Sequence, residues 1–424
     1  MASINAIGLK CINCGEEYPI SPMFEGCPRC RDSQFSSSVS VYYDYEHVGT
    51  DLTREKFSSW QGVGLWRFAP LLPVSPENQV SLHEGGTPLI KCERPSEDLG
   101  LRVHIKDESR NPTWSYKDRL ACVATSKALE FGAKVTTIAS TGNHGAATAA
   151  YAAKANLDCV VFTVPTTPLA MKSLMQSYGA KVVATTWKGR FEFISHCVRN
   201  LDWYPLGTYG TPLPTGNPYG VEGYKTIAYE ICLQLNWDVP DVVLCPVANG
   251  EGFFGIWKGF HEAKMLGLID RLPKMVAVEL VGGPLANAIR KNLRFPEPIG
   301  AKESVAFSIN GTISSFAALK AIRDSGGTAV EVSDDDIMTA QVILGQEGLY
   351  AEPASASSAA GLYQMAQTGQ LAGISSAVCI VTSSGLKDPG SISDKKGDIP
   401  VIEPGLKQLA TVLKECYHFD PKII

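Results

Sequence analysis

From about residue 81 onward, short apolar runs alternate with stretches of helical period. Lys134–Ile138, Asp158–Val164, Lys181–Thr185, Asp241–Pro246, Lys274–Leu280 and Ala377–Thr382 are strand-length runs rich in Val and other β-favouring residues. Between them, Gly145–Ala155, Leu169–Tyr178, Tyr224–Asn236, Phe253–Leu266 and Asp334–Gly345 carry helical spacing, and a further helix opens at Lys117. This alternation predicts an α/β fold with parallel sheets covered on both faces. In such folds a ligand sits beyond the carboxyl ends of strands, where the next loop enters a helix. The rule singles out Ser140–Gly145, Pro246–Gly252 and Thr382–Gly385. Residues 32–80 are rich in Ser, Pro and Tyr with little periodicity and read as an ordered but irregular arm. There is no internal repeat and no low-complexity tract.

Composition narrows the function by exclusion. A chain of 424 residues, 45% apolar and 19% charged, is ordinary for a globular protein of two or three domains. Its net charge of −5 lacks the basic footprint of a nucleic-acid binder, so no nucleic-acid partner is expected. No apolar stretch approaches the ~18 residues that span a bilayer, so no membrane partner is expected either. The first residues lack the layout of a signal peptide, which makes the cytoplasm the expected location.

Four of the twelve cysteines lie together near the N-terminus. Cys11-x2-Cys14 and Cys27-x2-Cys30 are two knuckles separated by 12 residues, a spacing that presents four thiolates to one tetrahedral Zn²⁺. Gly15 and Pro28 suit the turns. With all positions filled by protein, such a site is structural. The other eight, Cys159 and Cys379 among them, read as small buried hydrophobes.

The loops after the strands carry the chemistry. His83-Glu84-Gly85-Gly86-Thr87-Pro88-Leu89, Asn111-Pro112-Thr113-Trp114-Ser115-Tyr116-Lys117-Asp118-Arg119, ASTGNHGAATAAYAAKA, PVANGEGFFGIWKGF, AEPASASSAAGL and VTSSGLKDP occur in that order over residues 81–390. In this order they resemble the threonine synthase family of fold type II pyridoxal-phosphate enzymes, whose usual forms are EGGTPL and NPTGSFKDR. The resemblance implies two parallel-sheet α/β domains, a pyridoxal 5′-phosphate cofactor, a small amino-acid substrate and a homodimer. It implies that Lys117 is the Schiff-base lysine and the acid or base at Cα, a role that needs a desolvated lysine. Ser140, Thr141, Gly142, Asn143 and His144 would hold the substrate carboxylate at a helix start, although STGN also caps a helix whatever else it does. Asn143 would also reach the cofactor's 3′-oxygen. Ala248, Asn249, Gly250, Glu251 and Gly252 match the cofactor-phosphate loop, with Glu251 expected to point outward because a carboxylate repels a phosphate. Thr382, or Ser383 one residue on, would face the pyridine nitrogen.

The resemblance fails where threonine synthases clamp the substrate's phosphate. In a segment usually read NSxNPYRxEG, Pro214 replaces the asparagine, Thr215 the serine and Gly220 the arginine. Loss of that arginine removes charge-assisted bonds to phosphate; Lys106 and Lys154 are the candidates to compensate. The GNHG form of the asparagine loop is that of serine and threonine dehydratases. The reading drawn from these residues is a lyase that eliminates ammonia from a small non-phosphorylated amino acid, with His144 a candidate to protonate the leaving group. The alternative is threonine synthase itself, converting O-phosphohomoserine to threonine. A non-catalytic regulator is disfavoured because Lys117, Asn143 and Thr382 are intact. The expected division is a zinc-ribbon-like segment (1–45), an N-terminal arm (46–80), a large cofactor domain (81–120 and 216–424) and a small α/β domain (121–215).

Overall fold

The apolar runs do become strands, because Val- and Ile-rich segments between helices bury both faces. The computed structural model describes residues 5–420 apart from 211, 213, 215 and 392–398. Its strands are β1 (Ala6–Cys11), β2 (Glu17–Tyr18), β3 (Val39–Tyr43), β4 (Leu89–Lys91), β5 (Arg102–Asp107), β6 (Val135–Ala139), β7 (Asp158–Thr163), β8 (Lys181–Ala184), β9 (Tyr204–Pro205), β10 (Val242–Pro246), β11 (Lys274–Leu280), β12 (Thr328–Val332) and β13 (Ser376–Val381). The chain divides into two units, residues 1–387 and 388–424.

Three sheets organise the first unit. The largest runs β12-β11-β10-β13-β5-β4, parallel except for β4 at its edge. Every residue of β10 and β13 is buried, and each Val or Ile side chain so covered contributes about 1.5–3 kcal/mol. The second sheet, β8-β7-β6-β9, is wholly parallel. The third is a small antiparallel sheet, β2-β1-β3, that carries the first cysteine knuckle.

Residues 32–80 are less peripheral than their texture suggests. β3 and the short helices Arg54–Ser59 and Gly64–Leu71 send Val39, Val41, Phe57, Leu65, Phe68 and Leu71 into the main core. Phe57 packs on Phe68, Tyr229 and Trp237. Periodicity is invisible here because each element is too short to repeat. Beneath the segment lies a buried ionic cluster. Lys225 Nζ is 2.6 Å from Glu222 and 3.0 Å from Glu262, while Tyr43 and Tyr45 donate to those two carboxylates at 2.8 and 2.7 Å.

The second unit holds the helix Leu406–Tyr417, with Leu406, Leu409 and Tyr417 exposed. Cys416, expected in the core, is exposed on this helix; the other seven scattered cysteines are buried. Among the described residues, no helix is long and apolar enough to cross a membrane.

Candidate active site

Lys117 is the first residue of the helix Lys117–Glu130. Its start is anchored from three directions. Tyr116 N donates to Thr382 O at 2.9 Å, tying it to the end of β13. The Asp118 carboxylate accepts from Thr113 N and Oγ1 at 2.8 and 2.7 Å, and burial pushes its pKa up to about 7. Arg119 is fully buried and grips Glu108 (2.7 and 2.8 Å) and Glu230 (2.7 Å twice), and Lys106 completes the cluster at 2.7 Å from Glu230. Two cations and two carboxylates balance, which is what makes burial of all four tolerable. The Lys117 ammonium lies 5.2 and 5.5 Å from the ring centroids of Tyr116 and Tyr224, in a mostly covered site.

Facing it is the loop after β6. Asn143 opens the helix Asn143–Lys154. Its Nδ2 donates to both oxygens of Glu352 at 3.0 and 3.1 Å, and its Oδ1 accepts from Lys387 Nζ at 2.7 Å. The Ser383 hydroxyl is 3.2 Å from the same Oδ1 and 3.1 Å from Trp114 O. The Ser140 hydroxyl accepts from Gly142 N and Gly145 N at 3.3 and 2.9 Å, shaping the loop that also holds Thr141. At the end of β13, the Thr382 and Ser355 hydroxyls pair at 2.8 Å in a buried site.

The third loop, Ala248-Asn249-Gly250-Glu251-Gly252, enters the 15-residue helix Glu251–Met265. Two glycines are required by geometry. Gly250 has φ of 94°, and a Cβ there would lie 2.4 Å from Ala318 Cβ. A Cβ on Gly252 would lie 2.5 Å from the Tyr116 ring. The long helix presents N–H groups and the positive end of its dipole, as a phosphate requires. The Ser115 hydroxyl, two residues before Lys117, and that of Ser314, whose neighbour Ser315 donates its N–H to Asn249 O at 3.1 Å, are buried without a partner in the structure. A glycine cradle, a covered lysine and orphaned hydroxyls fit pyridoxal phosphate.

Several sequence-based expectations are corrected. Glu251 does not point outward: it is buried, with its carboxylate 3.6 Å from Lys117 Nζ and against Gly216. Lys106 is consumed by the buried cluster, donating also to Thr87 O and Gln234 at 2.7 and 2.9 Å. Lys154 is exposed at the far end of its helix. Neither replaces the missing arginine. His144 Nε2 is buried without a partner, and burial beside the Lys117 ammonium holds its pKa well below the usual range. Both effects disfavour the charged imidazolium that would act as a strong proton donor. Gly220 packs so closely that a Cβ would lie 2.8 Å from Leu120 Cγ and 3.1 Å from Ala124 Cβ, leaving no room for an arginine without repacking. Pro214 faces the cysteine loop at Gly26, and Thr215 lies outside the described residues.

A family model described as "Pyridoxal-phosphate dependent enzyme" matches residues 80–383. The chain belongs to this family. Among relatives of the chain, the threonine synthase of Methanocaldococcus jannaschii is 38% identical over 96% of this chain and 99% of that protein. That of Methanosarcina acetivorans is 38% identical over 94% and 96%. In solved structures, a threonine deaminase isoform from Solanum lycopersicum superposes with a TM-score of 0.62 at 19% identity, covering 80% of this chain and 85% of that one. That likeness shows the fold alone.

The cysteine knuckles converge as their spacing predicts. The Sγ atoms of Cys11, Cys14, Cys27 and Cys30 all lie within 4.8 Å of one another, with Cys11–Cys30 and Cys14–Cys27 both at 3.8 Å. A tetrahedron with Zn–S bonds of about 2.3 Å has edges of about 3.8 Å, so the donor set fits zinc.

Sequence reasoning assigned no role to Glu352, Ser355 or Lys387, although AEPASASS and VTSSGLKDP were both visible. Nothing local distinguishes a surface lysine from one that the fold turns onto an asparagine 244 residues away. Trp114 is similar: it occupies the usual glycine of NPTGSFKDR, and only the structure shows it at φ of 60°, a left-handed conformation uncommon for a bulky residue. Its carbonyl accepts from Ser384 N at 3.1 Å, which helps hold that conformation.

Proposed function

We propose that this chain carries out the threonine synthase reaction, converting O-phosphohomoserine to threonine and phosphate. The observation that carries this reading is end-to-end similarity to threonine synthases, 96% of this chain against 99% of the Methanocaldococcus protein, with Lys117, Asn143 and the glycine cradle all in place. This reverses the order of the two readings drawn from the sequence.

Lys117 would hold pyridoxal phosphate, with the loop Ala248–Gly252 on its phosphate, Asn143 on its 3′-oxygen and Thr382 near the ring nitrogen. When bound, the cofactor supplies an electron sink for charge developing at Cα. The Lys117 amine removes and returns protons at that atom, and its helix start is fixed by the Arg119 cluster. The Thr382–Ser355 hydroxyl pair brings no charge to the ring nitrogen, which suits elimination and replacement better than transamination. Covered walls at Tyr116 and Tyr224 limit water at the lysine. The four N-terminal cysteines would hold one structural zinc ion.

A second reading is favoured by one observation, the rebuilt clamp. With Gly220 packed on Leu120 and the Glu251 carboxylate beside Lys117, the site offers a phosphate dianion less than the family does. That favours elimination of ammonia from a small non-phosphorylated amino acid. One experiment separates the two: kcat/KM for O-phosphohomoserine against L-serine, L-threonine and a β-amino analogue, with phosphate, ammonia and 2-oxo acid measured. Threonine and phosphate formed efficiently from O-phosphohomoserine support the first reading. Ammonia from the panel without phosphate release replaces it with the second.

A further inference from the structure

Two buried ionisable groups without a role so far, Lys387 and Glu352, touch Asn143. Lys387 ends the short helical turn Gly385–Lys387 that follows β13. Its side chain is covered, and its ammonium is 2.7 Å from Asn143 Oδ1. On the other side of the same amide stands Glu352, the residue just before the helix Pro353–Gln367, also accepting from Ser308 at 2.9 Å. Asp118 on the Lys117 helix adds negative charge facing the lysine.

We propose that Lys387 is a positioning residue for the cofactor: with Glu352 it forms an ion pair bridged by the Asn143 amide, which locks that amide in one orientation. The proposal rests on Asn143 contacting the cofactor and is independent of the substrate chosen.

The two ends of an amide have nearly the same shape, so its orientation is decided by its partners. An ammonium only donates, so Oδ1 must face Lys387; an ionised carboxylate only accepts, so Nδ2 must face Glu352. Turning the amide over would put NH₂ against NH₃⁺ and a carbonyl against a carboxylate. The remaining partner of Oδ1, the Ser383 hydroxyl, both donates and accepts and so does not discriminate. Glu352 alone would not hold the polarity. Burial pushes its pKa up, and the Lys387 charge is one of the groups working against that. Burial likewise holds Lys387 down, to about 8, against the pull of Glu352 and Asp118. Each charge sustains the other across the amide. The bridge also joins the loop after β6, in one sheet, to the end of β13, in the other.

The test uses the holoenzyme and its cofactor-stripped form. Lys387→Met is expected to weaken pyridoxal phosphate binding about tenfold or more and to alter the visible circular dichroism of the bound cofactor. Lys387→Arg, which keeps charge and donors, should restore most of both. In an Asn143→Ala background, Lys387→Met should add less than about twofold, because the lysine acts through the asparagine. An unchanged dissociation constant and spectrum in Lys387→Met overturns the proposal. So does an equally large effect without Asn143. If Lys387→Met fails to fold, Lys387→Gln, which keeps a donor but no charge, is read by the same two outcomes.

Discussion

Arg119→Met tests the claim that a balanced buried cluster holds the reactive lysine in place. The guanidinium donates to Glu108, Glu230, Thr226 and Thr87, and its side chain has no exposed surface. Methionine fills similar volume but leaves two buried carboxylates facing the single ammonium of Lys106. Breaking a buried pair on one side costs about 3–5 kcal/mol. A cooperative unit near 390 residues has an unfolding entropy of roughly 0.8 kcal/mol/K, so the midpoint should fall by about 4–6 °C. Thermal unfolding followed by circular dichroism, alongside urea titration with its slope checked for constancy, gives both numbers. A companion variant that also carries Glu108→Gln, Glu230→Gln and Lys106→Met should recover most of the loss, since replacing a whole cluster is far cheaper than unbalancing it. An Arg119→Met protein within about 1 kcal/mol of the parent would refute the reasoning. A companion no better than the single variant would show that shape, and not charge balance, matters there.

Removing metal from the cysteine site, or Cys27→Ser, should cost more than ~2 kcal/mol of stability while leaving turnover per folded molecule nearly unchanged. Elemental analysis should give about one zinc per chain, and metal-free protein of full stability would refute the assignment. For pH, burial holds Lys387 at about 8 against an ordinary 10.5. Between those values the unfolded chain binds more protons than the folded one, so stability of the cofactor-free protein should rise with pH across that window. Denaturation midpoints of Lys387→Met should lack that rise. Borohydride treatment of the loaded protein should leave a fixed cofactor adduct on Lys117, and Lys117→Ala should show none.

Much of the architecture was legible in the residues alone. Runs such as Val242–Pro246 and Ser376–Val381 state their own structure, because a strand buried on both faces must be apolar throughout. The glycines at 250 and 252, the CxxC pairs and the Lys117 segment are equally local: each meets a demand of backbone geometry or coordination within a few residues. The short elements of 32–80 escaped notice because a pattern needs several turns to repeat. What the tertiary structure alone decided is the company each charge keeps. Glu251, read as pointing away, is buried against Lys117; Lys106, read as a spare cation, is spent on Glu230. Lys387, unremarked in sequence, meets Asn143. Charge pairing inside a protein is set by contacts between residues far apart along the chain, and burial makes each such contact obligatory. Spacing along the sequence carries no record of either.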